Sequence, residues 1–171
     1  MSAEKVLIIS DVNDANFNQL IKEKYPESVI LSPENPIKPC VGCLSCWLRT
    51  PGKCVLNDSY SRMGNYMSES CTIIYISRCF FGGFSPFVKN VIDRSIAYVQ
   101  PFFSKKGKSS GHLKRYKNRF DYFAVFYGEN ISEEEKKTAL SLCRGNALLW
   151  NCNKPEVRFC ENYTDAEELL P

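Results

Sequence analysis

Nine cysteines in 171 residues are the first chemistry this sequence offers, and four of them, Cys40, Cys43, Cys46 and Cys54, fall in one short stretch. The spacing is C-x-x-C-x-x-C with a fourth cysteine eight residues on. Such short connections let three thiolates face one centre while the fourth closes from a neighbouring turn, an arrangement that can surround a 4Fe-4S cubane. Structural zinc is less natural, because it usually takes two C-x-x-C knuckles separated by a longer loop. A loop that holds no metal, with remnant or redox-active thiols, is the third reading. Cys71, Cys79, Cys143, Cys152 and Cys160 fall on expected strands, helices or their ends, where free cysteine acts as a small hydrophobe.

A second candidate begins at the run Arg78-Cys79-Phe80-Phe81-Gly82-Gly83-Phe84-Ser85-Pro86. Paired glycines adopt backbone angles closed to other residues, and the loop is aromatic. That combination suits a flat conjugated ring held by backbone donors with Phe80 or Phe81 against it. The plainer alternative is a tight turn with its phenylalanines in the core. His112 is the only histidine, and as a lone loop histidine it reads as solvated. From Lys105 to Arg119 there are seven Lys or Arg and no acidic residue, a run that could attract phosphates or an acidic partner but is more simply a solvated face.

The elements that must position these residues alternate between strand and helix. Lys5 to Ser10 (KVLIIS) and Thr72 to Ser77 (TIIYIS) are continuous apolar runs suited to parallel strands covered on both faces. Ser28 to Leu31, Asp121 to Tyr127 and Val157 to Cys160 supply three more strands. Helices are expected over Asp14 to Tyr25, Ser59 to Glu69, Phe87 to Val99, and from Ser132 to about Trp150. The last opens on a capping box, Ser132 with Glu135. Asp165 to Leu170 reads as a final turn or short helix, and 102–119 as a basic surface excursion. Right-handed crossovers then place five parallel strands in the order 2-1-3-4-5, doubly wound. Ligands of such sheets bind at the carboxyl ends of the strands, here the loops Ser10 to Asn16, Ser77 to Ser85 and Tyr127 to Ser132.

Composition excludes several classes. The apolar share is 44% and the charged share 24%, as in ordinary globular proteins, so one domain spanning 1–171 is expected. No apolar run approaches the roughly twenty residues needed to span a bilayer, and the start lacks a signal-peptide pattern, which makes the cytoplasm the default location. A net charge of +3 is too small to argue for nucleic acid.

The segment Thr72 to Arg94, TIIYISRCFFGGFSPFVKNVIDR, resembles the stretch in the NAD(P)H-dependent FMN reductase and iron-sulfur flavoprotein family that runs from the third strand through a ring-binding loop into a helix ending Ile-Asp-Arg. Pro39-Cys40-Val41-Gly42-Cys43-Leu44-Ser45-Cys46-Trp47, then Pro51-Gly52-Lys53-Cys54 and Asp58, is similar to the family's compact cluster motif within loop 39–58. The resemblance implies a flavodoxin-like fold and an FMN-dependent oxidoreductase using NAD(P)H to reduce a small acceptor. It implies FMN contacts from Ser77, Arg78, Cys79, Phe80, Phe81, Gly82, Gly83 and Phe84, and from Tyr127, Gly128, Glu129 and Asn130. The FMN phosphate would lie near Ser10, Asn13 and Asn16. It also implies a homodimer or homotetramer, with the aromatic stretch Tyr98 to Tyr116 as a contact surface. An electron carrier holding FMN and a 4Fe-4S cluster on Cys40, Cys43, Cys46 and Cys54, with a ferredoxin-like partner, is the alternative. A binding module that has lost its cofactor is the second.

Two positions depart from the family pattern. Its phosphate loop is rich in Ser, Arg, Gly and Thr, whereas this chain has Ser10-Asp11-Val12-Asn13-Asp14-Ala15-Asn16, whose two carboxylates repel a phosphate unless backbone N–H groups at the helix start outweigh them. Arg78 stands where proline is common.

Overall fold

The computed structural model describes residues 5–34, 36–106 and 109–171. Along the chain run β1 (Val6–Ser10), α1 (Ala15–Lys24), β2 (Val29–Leu31), α2 (Ser45–Leu48), α3 (Met63–Glu69), β3 (Thr72–Arg78), α4 (Pro86–Arg94), β4 (Val99–Lys106), β5 (Ser109–Lys114), β6 (Asp121–Tyr127), α5 (Glu133–Trp150) and β7 (Glu156–Cys160). Three 3-10 turns, Ser59–Arg62, Ser95–Tyr98 and Tyr163–Leu169, complete the path.

Five strands pair in parallel in the order β2-β1-β3-β6-β7. This is the expected 2-1-3-4-5 arrangement, with β6 and β7 as its fourth and fifth strands. Strand alternation sends Leu7, Ile9, Ile73, Tyr75, Tyr122 and Phe126 into one core, with Met63, Val88, Val91, Cys143 and Trp150 from the helices of that face. Ile8, Ile74, Ile76 and Val125 point the other way, onto Phe17 and Ile21 of α1 and Ala166 and Leu170 of the C-terminal segment. Both faces are covered, which explains why the strands read as unbroken apolar runs. Trp150 stacks parallel on Tyr75, with ring centres 6.0 Å apart. The capping box is present: Ser132 accepts the Glu135 N–H, and the Glu135 carboxylate accepts the Ser132 N–H.

Two expectations need correction. The helix expected to reach Val99 ends at Arg94. Ser95 turns its hydroxyl back onto the Val91 carbonyl at 2.7 Å, the backbone tightens into a 3-10 turn, and Tyr98 is drawn into the core. Within the basic excursion β4 and β5 form an antiparallel hairpin. Gly107 and Lys108 of the basic run lie outside the described residues. His112, expected to be solvated, is buried on this hairpin, its Nδ1 2.7 Å from the Gln100 carbonyl and its ring packed on Phe103 and Trp47. Of the aromatics offered as an interface, Tyr98 is inside, while Phe102 and Phe103 are exposed.

The loop after β3 closes in a two-residue turn. Phe80 and Gly83 exchange backbone hydrogen bonds of 2.9 and 2.7 Å, enclosing Phe81 and Gly82 at φ 50° and 77°. Positive φ at both central positions defines a type I′ turn. Gly82 lies against α5, where an added Cβ would stand 2.6 Å from Thr138 Cβ and 2.7 Å from the Glu135 carbonyl oxygen. Gly82→Ala should therefore lower stability by about 1–3 kcal/mol. Gly145→Ala, on the exposed face of α5 with nothing within 4 Å, should raise it by about 0.5–1 kcal/mol. Urea unfolding of the two variants reads both signs.

Candidate functional site

The carboxyl ends of β1 and β3, where the strand order reverses, are bridged by one side chain. The Asp11 carboxylate accepts the Arg78 N–H at 2.9 Å through Oδ2 and the Tyr127 hydroxyl at 3.0 Å through Oδ1. The Asp11 N–H itself donates to the Ile76 carbonyl at 3.2 Å. Three strand ends, β1, β3 and β6, are thereby tied at a single carboxylate. Burial, then the adjacent Asp11 charge, pushes the Tyr127 phenol well above its usual range, so the hydroxyl stays protonated as a donor.

Asp14 is the N-cap of α1. Its Oδ1 accepts the Phe17 N–H at 2.9 Å and its Oδ2 the Tyr163 hydroxyl at 3.1 Å. The Phe17 N–H, then the Tyr163 hydroxyl, hold its carboxyl below the usual value. The Ser10 hydroxyl accepts the Val12 N–H at 3.1 Å. Asn13 and Asn16 are exposed at the same helix start. Sequence reasoning noticed the two carboxylates but missed Tyr163, which arrives from the far end of the chain.

A cleft of about 680 Å³ opens beside this junction. Arg78, Cys79, Tyr127, Gly128, Glu129 and Asn130, all singled out from sequence, line it. Ile131, Glu135, Glu161, Asn162 and Tyr163 complete the wall, so most of its charged side chains are acidic. Its size suits a fused ring system. The other candidates lie elsewhere. Ser77 is buried and accepts the Ser85 N–H at 2.9 Å, which ties the loop to the start of α4. Phe84 is turned into the core against Phe126 and Tyr75. Gly82 and Gly83 shape the turn. Phe80 sits under the Arg78 guanidinium, 5.7 Å from ring centre to Cζ. Phe81 is 91% exposed at the turn tip, in a backbone conformation that bulky side chains rarely take. Burial pushes the Cys79 thiol up.

The cysteine loop is a separate structure. Left-handed backbone at Gly42 and Leu44 folds it tightly, and α2 gives one helical turn that carries Cys46. All four sulfur-bearing residues line one apolar cavity of about 30 Å³, walled by Val41, Leu44, Leu56 and Ile96. Burial, followed by the nearby Cys54, Cys40 and Cys43, raises the Cys46 thiol, whereas the Ser45 hydroxyl and N–H lower that of Cys43. Among the described residues no three Cys, His, Asp or Glu side chains converge as they would around one metal ion. A single tetrahedral zinc needs its thiolates at about 2.3 Å each, whereas a cubane carries four separate irons and spreads its ligands more widely. The free volume between the four cysteines is about that of one water molecule.

Arg94 holds this loop at both ends. It is 1% exposed, and its guanidinium bonds the Lys38 carbonyl at 2.7 Å and both Asp58 oxygens at 2.9 and 2.8 Å. Asp58 in turn accepts the Lys38 N–H at 3.1 Å. Burial opposes the arginine's charge, but the Asp58 bonds and the neighbouring Cys54 keep it more firmly protonated than usual. For Asp58, burial alone would raise the pKa; the Arg94 bonds and the Lys38 and Tyr60 N–H groups outweigh it and hold the carboxyl below its ordinary value. The Trp47 indole N–H adds a bond to the Ile96 carbonyl at 3.0 Å. The Ile-Asp-Arg ending and Asp58 were legible in the sequence, but their contact was not.

No family model matches the chain. An iron-sulfur flavoprotein of Methanocaldococcus jannaschii is 32% identical over 78 residues, which cover 46% of this chain and 39% of that protein. The matching stretch thus spans well under half of the curated relative's length. An azoreductase from Bacillus anthracis superposes with a TM-score of 0.58 at 12% identity, covering 97% of this chain and 92% of that one. The fold is flavodoxin-like. An FMN-dependent NADH-azoreductase from Bacillus anthracis, solved with FMN, gives 0.57 at 12% identity over 97% of both chains, and an NADPH-quinone reductase from P. pentosaceus gives 0.54 at 11%, over 97% of this chain and 92% of its own. Identities this low carry the fold alone. Among the described residues no helix is long and apolar enough to cross a membrane.

Arg94→Met should cost about 3–5 kcal/mol, because it leaves the buried Asp58 carboxylate uncompensated. The acid limb carries the same signature. With its folded pKa depressed, Asp58 contributes full stability above the unfolded value of about pH 4 and loses it as pH falls through the lower folded value. Denaturant unfolding of Asp58→Asn between neutral and acid pH should show a shallower fall than the parent protein.

Proposed function

We propose that this chain is a flavin-dependent oxidoreductase that takes hydride from NAD(P)H and passes electrons to a small acceptor. The observation that carries the reading is the ring-sized cleft at the carboxyl ends of β3 and β6, on a doubly wound sheet whose switch point adjoins it. The resemblance of Thr72 to Arg94 to the FMN reductase and iron-sulfur flavoprotein family supports it, as do the names of the structural neighbours. When bound, a flavin supplies hydride and single-electron chemistry, while the protein supplies orientation and electrostatics. Space and shape fit the ring; the carboxylates and self-capped helix start do not fit a phosphate. In this reading the Tyr127 hydroxyl, fixed by Asp11, and the Gly128 to Asn130 backbone orient the ring. Arg78 places a positive charge beside it. A homodimer or homotetramer using exposed Phe102 and Phe103 belongs to the same proposal.

Flavin absorption in freshly purified anaerobic protein, or after adding flavin, with NADH or NADPH bleaching it and a quinone or azo acceptor restoring it, is the expected outcome. Protein that binds no flavin under these conditions would overturn the reading.

The cysteine spacing supports a second reading in addition, an electron carrier in which Cys40, Cys43, Cys46 and Cys54 hold a 4Fe-4S cluster and a ferredoxin-like protein is the partner. The name of the Methanocaldococcus relative supports it. Anaerobic reconstitution should give about four irons and four sulfides per chain in the parent protein, and a large loss in Cys43→Ala, with Cys71→Ala unaffected. Equal iron in the parent and Cys43→Ala, or none in either, would leave the flavin reading alone.

A further inference from the structure

We infer that the cleft takes a flavin without a terminal phosphate, riboflavin rather than FMN, because the chain's own carboxylates fill the place a phosphate would occupy. The inference rests on the flavin reading of the cleft and narrows it.

A phosphate at the switch point of such a sheet is normally held by the N–H groups that open the first helix and by hydroxyls of the loop before it. Here several of those donors are committed to the chain itself. The Phe17 N–H goes to Asp14 Oδ1 at 2.9 Å, and the Val12 N–H goes to Ser10 Oγ at 3.1 Å. The Asn18 N–H goes to the Asp14 carbonyl at 3.0 Å, as the helix requires. Asp14 therefore meets the positive end of the α1 dipole with a built-in anion.

Tyr163 seals the arrangement. Its hydroxyl donates to Asp14 Oδ2 at 3.1 Å, and its ring stands edge-on to Phe17 with centres 5.6 Å apart. Three residues upstream of Asp14, Asp11 is pinned by the Arg78 N–H and the Tyr127 hydroxyl. An incoming phosphate dianion would meet two carboxylates already fixed by the chain, one of them on the helix N-terminus itself. Glu129, Glu135 and Glu161 on the cleft wall add to the same negative field. A ribityl chain ending in a hydroxyl carries no such charge, and exposed Asn13 and Asn16 can bond it.

Titration of riboflavin and FMN fluorescence with the full-length protein at low salt tests this. The expected result is riboflavin bound about tenfold or more tighter than FMN, with the gap narrowing as salt screens the carboxylates. Asp14→Asn keeps an N-cap of comparable quality, since asparagine ranks with aspartate at this position. It should raise FMN affinity about tenfold and leave riboflavin affinity unchanged, the screened charge being the difference. A circular-dichroism melt confirms that the variant is folded. FMN binding as tightly as riboflavin in the parent protein, or Asp14→Asn moving both ligands equally, would overturn the inference while leaving the flavin reading standing. Failure of both flavins to bind would bring down both.

Discussion

A parallel sheet covered on both faces leaves only the ends of its strands free for chemistry, and here the carboxyl ends of three strands meet at one aspartate. Asp11 joins the backbone of Arg78 at the end of β3 to the phenol of Tyr127 at the end of β6. The cleft, the loop after β3 and the start of α1 all take their positions from that junction. A carboxylate accepting two such bonds is a strong, directional tie, stronger than a neutral pair would be. The same tie fixes a negative charge at the carboxyl edge of the sheet.

At the other end of α4 the constraint is a buried ion pair. Arg94 meets Asp58 and the Lys38 carbonyl with its side chain almost wholly out of water. An isolated buried charge is costly, and the pair is tolerable because both terminal nitrogens of Arg94 and both oxygens of Asp58 are hydrogen-bonded. Its structural effect is to bring residues 38 and 58 together and close the cysteine loop into a compact body around a small apolar cavity. Helix α4 therefore runs between two candidate centres. Ser85 at its start is bonded to Ser77 beside the cleft, and Arg94 at its end holds the cysteines.

The hairpin of β4 and β5 adds a third element to that region. His112 lies between Trp47 of the cysteine loop and Phe103 of its own hairpin, and the Asn151 amide donates to the His112 carbonyl at 2.8 Å. Lys105, Lys106 and Lys114 are thus carried on a regular scaffold that braces the loop, while Phe102 and Phe103 are exposed.

The strand order, the main helices and the capping box of α5 were legible in the sequence because they rest on local signals: apolar runs, helical spacing and cap residues within a few positions of each other. The four cysteines were legible as a group for the same reason, their spacing being short. The ring-loop resemblance likewise rested on contiguous residues. Local pattern could not show that Ser95 would end α4 by bonding back to Val91, nor that Val99–Lys106 would pair with Ser109–Lys114 in a hairpin. It could not show that Gly82 serves contact with α5, that Phe84 belongs to the core, or that His112 is buried, since each depends on which distant surface arrives alongside. The same holds for the site. Asp11 and Asp14 were visible as carboxylates in an unusual place, but whether they were free to yield to a ligand depended on Tyr127 and Tyr163, more than a hundred residues away. Residue types set the charge at the switch point; only the tertiary structure, by committing that charge to particular donors, decided that it is fixed there.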